Sequence, residues 1–408
     1  MQERDKTFQE STGNFPKKQT IIALCSDIGR GHPNYLDSLL SLLKKKYPHI
    51  VCRTVFEESK GISLLSWRFL LWLYRISGKG GLATPFYNLI RRRSGDNSPD
   101  SLTIKILGRD LKRAYKNFPG ICLVDHPLIA KALAGVCRVG YVHGEIAAPE
   151  ECAIPGVEKI LVPLEETKAK LAACGAGKEA IEVCGLMIEP GLVDTAEISY
   201  KIRLERINSG QTLTVGFFTS GAYPKEHVEK IVLGARSIIE AKMKAIIFCG
   251  TNLHKFEWVR NEFRNAKMRI VEDNEQTFTG DFDFDLLLVF RKTRQEDTQR
   301  AVELVPLLDV FAAASHERTN WSVGLGLPMF VLFPLIGTFA SQNFEFAQKQ
   351  KVVYPLDSPE KAKNLGEILS GLRQNDQLAE MARNGFGIHN IDGVRIAISD
   401  LLETLNSS

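Results

Sequence analysis

Several absences narrow this chain before any motif is read. No run of about 20 uninterrupted apolar residues occurs, so no segment has the length of a membrane-spanning helix. None of the eight cysteines (25, 52, 122, 137, 152, 174, 184, 249) belongs to a CxxC pair, which removes the usual spacing of structural zinc and of redox dithiols. Most lie in or beside apolar runs, as buried thiols of a reducing compartment do. Low-complexity segments and short-period repeats are missing too. The polar N-terminal stretch MQERDKTFQESTGNFPKKQT has no secretory apolar core, so a cytoplasmic location is expected.

Net charge is also small, +4, but unevenly spread. Residues 1–120 hold 21 Lys+Arg against 10 Asp+Glu, while the remainder holds 31 against 38. A basic first part commonly marks a phosphate-rich partner, nucleic acid or anionic membrane. With 408 residues, 44% of them hydrophobic, the chain has room for about two domains.

Apolar runs of strand length recur, each followed by a turn and a helix-period segment. The first half offers Thr20–Leu24, Ile121–Val124, Val139–Val142, Ile160–Val162 and Ile181–Cys184. The second offers Leu213–Phe218, Ala245–Cys249, Asp285–Phe290 and Met329–Phe333. Consecutive apolar positions suit strands covered on both faces, so the spacing predicts α/β architecture twice over. Glu189-Pro190-Gly191 interrupts the pattern, and a boundary is expected near 205. The chain divides into a flexible N-terminus (1–18), a first domain (19–205), a second (206–388) and a C-terminal helix (389–408).

Ligands of open α/β sheets bind beyond the carboxyl ends of the strands. Three such loops in the first half carry a histidine: Gly31-His32-Pro33, Asp125-His126-Pro127 and His143-Gly144-Glu145. They should converge on one cleft. Each alone also fits a histidine bonded to its own loop backbone. A metal site from the three with Glu145 lacks the spacing that would identify one, and no metal is expected. Gly29 and Gly31 around His32 let the backbone approach a ligand at a helix start. In the second half, Ser220-Gly221, Gly250-Thr251-Asn252 and Ser315-His316-Glu317-Arg318-Thr319-Asn320 stand at successive strand ends. Such loops suit a nucleotide diphosphate, or serve as turns and helix caps.

The stretches SDIGRGHPNYLDSL, ICLVDHPLIAKAL and GVEKILVPLEETKAKLAACGAGKEAIEVCGLMIEPGLV resemble the acceptor domain of monogalactosyldiacylglycerol synthases and bacterial processive diacylglycerol glucosyltransferases. AIIFCGTN is similar to that family's CGRN segment. GLGLPMFVLFPLIGTFASQNFEFA is similar to a donor segment shared with the lipid-linked N-acetylglucosaminyltransferase of peptidoglycan synthesis. The similarity covers roughly 20–60, 118–195 and 212–360. It implies a GT-B fold: two Rossmann-like domains facing across a cleft, acceptor in the first and nucleotide sugar in the second, with the C-terminal helix crossing back.

The activity so implied is inverting glycosyl (hexosyl) transfer from a UDP-sugar to a lipid or lipid-linked acceptor, with no cofactor beyond the nucleotide-sugar co-substrate. By resemblance His32 is the general base, a role imidazole suits. Gly29, Gly31, Asp125, His126, His143 and Glu145 would line the acceptor side. Ser220, Gly221, Gly250, Thr251, Asn252, Ser315, Glu317, Arg318, Thr319, Asn320, Gln342 and Asn343 would line the donor side, with Arg318 on the diphosphate and Gln342 and Asn343 on sugar hydroxyls. Two departures stand out: the glycine-rich loop is reduced to Ser220-Gly221-Ala222, and Trp321 stands where a glutamate usually contacts the donor. A non-catalytic scaffold and a nucleotide-sugar epimerase or hydrolase of the same fold therefore remain open.

Residues 62–93 mix aromatics with arginines. Trp67, Phe69, Trp72, Arg75, Arg91, Arg92 and Arg93 suit a helix lying in the headgroup layer, making the protein peripheral on the inner face of an anionic membrane. The other reading is a core helix with a solvated basic end. No nucleic-acid fold signature accompanies the segment, and no nucleic-acid partner is expected.

Overall fold

The computed structural model describes residues 21–29, 31–77, 101–273 and 283–406. They form two parallel sheets. The first comprises β1 (Ile21–Cys25), β2 (Val51–Thr54), β3 (Ile121–Val124), β4 (Arg138–Val142), β5 (Lys159–Val162) and β6 (Ile181–Val183), in the order β2-β1-β3-β4-β5-β6. The second comprises β7 (Thr214–Phe218), β8 (Lys244–Phe248), β9 (Ile270–Asp273), β10 (Leu286–Val289), β11 (Val310–Ala313), β12 (Met329–Leu332) and β13 (Val353–Leu356), in the order β13-β12-β11-β7-β8-β10-β9. β3, β10, β11 and β12 are buried along their whole length, as strands with helices on both faces must be. The chain is thus α/β with two Rossmann-like domains.

The nine apolar runs expected as strands all form. Four further strands appear. β2, β9 and β13 are edge strands of mixed composition, and Pro355 within β13 is tolerated because an edge need not donate on both sides. β11, with the sequence VFAA, is central. Its short alanine-rich sequence lacks the β-branched signature that marks its neighbours.

The helices that place the site are α1 (Gly31–Lys46), α2 (Gly61–Ser77), α3 (Leu102–Tyr115), α4 (Pro127–Leu133), α5 (Pro190–Ser209), α6 (Leu253–Phe263), α7 (Arg294–Leu304), α8 (Thr319–Gly324), α9 (Gly337–Lys349) and α10 (Gly393–Asn406). α5 lies against the second sheet: buried Arg203 donates to the carbonyls of Leu308, Leu325 and Gly326 at 2.9–3.0 Å. α10 returns to the first sheet, where Val394, Ala397, Ile398 and Leu401 join Ile21, Leu36 and Leu39 in one core. Lys159 fixes it through Asp400 at 3.0 Å. The two segments crossing between domains touch, Leu186 N–H donating to Asn390 O at 2.8 Å. Gly185 there has φ +102°, and an added Cβ would lie 2.8 Å from that same carbonyl oxygen.

Strand order reverses between β1 and β3 in the first sheet and between β7 and β11 in the second. Ligands of open α/β sheets bind at such switch points, and loops from both meet here.

Candidate functional site

At the first switch point Asp125, fully buried at the end of β3, ties that strand to the end of β1. It accepts from Ser26 N–H at 2.8 Å, Ser26 Oγ at 3.1 Å and Cys25 Sγ at 3.3 Å. Burial pushes its carboxyl up to about 6, although these donors oppose the rise. The turn then runs through Gly29 at φ +74° into α1, and an added Cβ on Gly29 would stand 2.8 Å from Tyr74 Oη of α2.

The three sequence-predicted histidines do converge. His32 lies edge-on to His126, centroids 5.4 Å apart, and to Phe339 of α9 at 5.2 Å, while His143 lies 6.4 Å from the same Phe339. Their roles differ. His126 caps α4, its Nδ1 accepting from Leu128 N–H at 3.2 Å. His143 is wholly buried, with Tyr141 Oη at 3.1 Å from one ring nitrogen and Ala147 O at 2.8 Å from the other, and burial holds it down at about 4. It is a neutral structural histidine.

Glu145 of that loop is placed differently. Gly144 lies flat against the Tyr35 ring, where a Cβ would collide, and this turns the next side chain inward. Glu145 is 4% exposed and accepts from Asn343 Nδ2 at 2.8 Å. Burial first, then the nearby Glu317 charge, push it up to about 8. A Cβ placed on Gly31 would lie 3.0 Å from Glu145 Oε1 and 3.3 Å from Glu317 Oε2. Two carboxyls from opposite domains therefore converge on the start of α1. Glu317 is paired with Arg318 Nη1 at 2.9 Å, whereas burial raises the carboxyl of Glu145.

At the second switch point the hydroxyls of Ser220 and Thr319 are buried with no hydrogen-bond partner among the described residues. The Arg318 guanidinium sits 4.5 Å over the Phe218 ring and 5.3 Å from that of Trp321. Trp321 is 3% exposed and donates its indole N–H to Glu189 Oε2 at 2.9 Å. The position thus holds a carboxylate from the crossing segment, and burial raises that carboxyl. Gly250, at φ +70°, accommodates Tyr223, whose hydroxyl donates to Cys249 O at 2.8 Å. Asn252 caps α6 through Lys255 N–H at 3.1 Å, and Gly221, Thr251 and Asn252 are exposed.

Several residues expected to line the donor instead hold the first domain's loop. Asn320 Nδ2 donates to Gly144 O at 3.0 Å, Gln342 Oε1 accepts from Ala148 N–H at 3.1 Å, and Asn343 Oδ1 accepts from Ala147 N–H at 2.9 Å. Asn343 Nδ2 also reaches Ser315 O at 3.2 Å, while Ser315 Oγ donates to Ala340 O at 2.7 Å. Gln342 Oε1 and the Asn343 amide, assigned to sugar hydroxyls above, are engaged by backbone and, for Asn343, by Glu145 as well. Arg294 of α7 makes a second bridge, pairing with Asp37 and donating to Asn34 Oδ1 at 3.3 Å on α1. Among the described residues no group of three or more His, Cys, Asp or Glu could hold a metal ion.

Sequence reasoning passed over Ser26, Tyr35 and Glu189. Ser26 directly follows β1 in a loop it did read; Tyr35 and Glu189 were hidden in an apolar helix stripe and in an apparent linker.

On α2, Trp67 departs from its expected place at a lipid boundary. It is fully buried, its indole donating to Leu107 O on α3 at 3.2 Å beside Ser63 Oγ at 2.8 Å from the same oxygen. The outer face carries Ile62, Leu65, Phe69 and Trp72, each more than half exposed. Phe69 stacks on Trp72, and Arg68 and Arg75 are exposed beside them. Arg91, Arg92 and Arg93 lie outside the described residues. No described helix is long and apolar enough to cross a membrane.

No family model and no curated protein sequence matches the chain. Solved structures do match over nearly its whole length. The S. aureus MnaA–UDP co-structure superposes with a TM-score of 0.54 at 10% identity, covering 95% of this chain and 97% of that one. The Methanocaldococcus jannaschii UDP-GlcNAc 2-epimerase in complex with UDP-GlcNAc and UDP gives 0.51 at 13%, covering 94% and 99%. The Neisseria meningitidis UDP-GlcNAc 2-epimerase bound to UDP-GlcNAc gives 0.50 at 15%, covering 94% and 100%. At such identities what is shared is the fold, which is GT-B-like.

Proposed function

We propose that the protein binds a UDP-sugar between its two switch points and performs acid–base chemistry on the sugar, as a nucleotide-sugar epimerase or hydrolase. The convergence of Glu145 and Glu317 on Gly31 carries this reading. Epimerisation takes a proton from one face of a carbon and returns one to the other, so it needs both a proton donor and a proton acceptor at one point. Glu145, raised to about 8, and Glu317, paired with Arg318, meet that need. Transfer to an acceptor needs one base. The nucleotide-binding part is proposed as 206–388, with the buried hydroxyls of Ser220 and Thr319, Arg318 and the Gly250 to Asn252 loop about the diphosphate and nucleoside. The UDP and UDP-GlcNAc named for the structural neighbours support the choice of ligand.

A second reading is favoured by one observation, the exposed apolar face of α2 with its arginines. Here the protein sits on the inner surface of an anionic membrane, His32 deprotonates a lipid hydroxyl, and the first domain (19–205) holds that acceptor. Incubation with UDP-GlcNAc, without and with anionic vesicles containing diacylglycerol, separates the two. An altered sugar nucleotide or UDP release without vesicles supports the first reading. Turnover only with vesicles, with sugar on the lipid, sinks it in favour of the second. No binding of UDP or UDP-GlcNAc sinks both and leaves a non-catalytic scaffold.

A further inference from the structure

Tyr35 lies in the second turn of α1, where its spacing matches the apolar stripe of that helix, yet its hydroxyl end does not behave as core. The residue is 3% exposed, and its ring is clamped against Gly144. The hydroxyl is buried and completes no hydrogen bond of full geometry among the described residues, although it stands near enough to Glu145 to oppose the rise of that carboxyl. It faces the charged groups of Glu145, Glu317, Glu189 and Arg318, from three loops and both domains. A buried O–H whose hydrogen bonding is incomplete is a standing cost to the fold. Phenylalanine would fill the same space without it. Side chains kept at such a cost collect where a ligand completes them.

We propose that Tyr35 recognises the sugar of the bound nucleotide sugar, its hydroxyl bonding a sugar hydroxyl in the polar wall that Glu145 and Glu317 form over Gly31. This inference rests on the nucleotide-sugar reading above and assigns it a specificity-determining residue. The sugar must reach Tyr35 when the domains part, since the hydroxyl is closed off in the present arrangement. The nucleotide, held at the second switch point, would not touch it. UDP and UDP-sugar should therefore respond differently to loss of the hydroxyl.

The test is calorimetric titration of the full chain and of Tyr35→Phe with UDP and with UDP-GlcNAc, alongside their melting curves. Expected is UDP affinity equal within about two-fold in both proteins, and loss in the variant of about ten-fold in UDP-GlcNAc affinity, the scale of one hydrogen bond. The variant should melt no lower than the wild type, because it sheds a buried hydroxyl whose bonding is incomplete. UDP binding with an unchanged UDP-GlcNAc affinity in Tyr35→Phe would overturn the role of Tyr35 and leave the nucleotide-sugar reading standing. A lower melting temperature would also overturn it, showing that the hydroxyl serves the fold. A wild-type protein that binds neither ligand removes the functional reading and this role together.

Discussion

Protonation at Glu145 and His143 links the site to stability in opposite senses. Glu145 rises from an ordinary 4.5 to about 8 on folding, so the native state binds the extra proton between those values. Its contribution is full below pH 4.5 and is lost as pH rises through 8. His143 falls from 6.5 to about 4, so its contribution is full above pH 6.5 and is lost as pH falls through 4. A tenfold change in proton affinity is worth ~1.4 kcal/mol; the losses on the two sides are therefore on the order of a few kcal/mol. Glu145→Gln, which keeps shape and still accepts from Asn343, should match the wild type near pH 5 and melt at a higher temperature than it at pH 9. Melting curves across pH 4–10 that run parallel for the two proteins would show that Glu145 titrates normally. Glu145, Asp125 and His32 were legible in the sequence because polar residues just after strand-like apolar runs are conspicuous, and Glu317 because it stands in the polar run Ser315–Asn320 ahead of an apolar one. Tyr35 was not, because an aromatic at helical spacing reads as core, where its ring does pack, and only its hydroxyl end faces the charged groups.

At the scale of elements, α2 shows what periodicity leaves undecided. Its sequence is apolar nearly all round, so the stripe through Leu65, Phe69 and Trp72 and the face through Ser63 and Trp67 are equally good candidates for the interior. The polar atoms decide: Ser63 Oγ and Trp67 Nε1 both reach Leu107 O, which only α3 supplies. Trp67→Ala should therefore cost about 3–5 kcal/mol, as large-to-small changes in a core do. Phe69→Ser, more than half exposed, should stay within about 0.5 kcal/mol. Denaturant titration of both variants checks the assignment, and reversed costs would mean the helix is rotated. If the second functional reading holds, Phe69→Ser should instead weaken sedimentation with anionic vesicles, a loss without any change in melting. β11 failed to show in the sequence for a related reason: four small or apolar residues after VPLLD look like the end of the preceding segment, and only pairing with β7 and β12 makes them a central strand.

For the molecule as a whole, the two-sheet division was legible and the contact between the halves was not. Consecutive apolar runs declare buried parallel strands from local sequence alone. The grip on residues 144–148 joins partners 176 to 198 positions apart, and asparagine and glutamine side chains read equally well as ligand contacts. That grip joins Asn320, Gln342 and Asn343 to adjacent backbone groups of one short loop, whose Glu145 is the acid in the proposed reading. If the three act as one unit, releasing any of them frees the loop. Asn320→Ala touches neither the Ala147 nor the Ala148 amide, which donate to Asn343 and Gln342. It should still speed hydrogen exchange at both amides, by about ten-fold for one lost bond of ~1.4 kcal/mol. Exchange that changes at neither amide would mean each contact holds independently. In that case Glu145 would be placed by Asn343 alone, and opening of the cleft would not be coupled to the position of its proton.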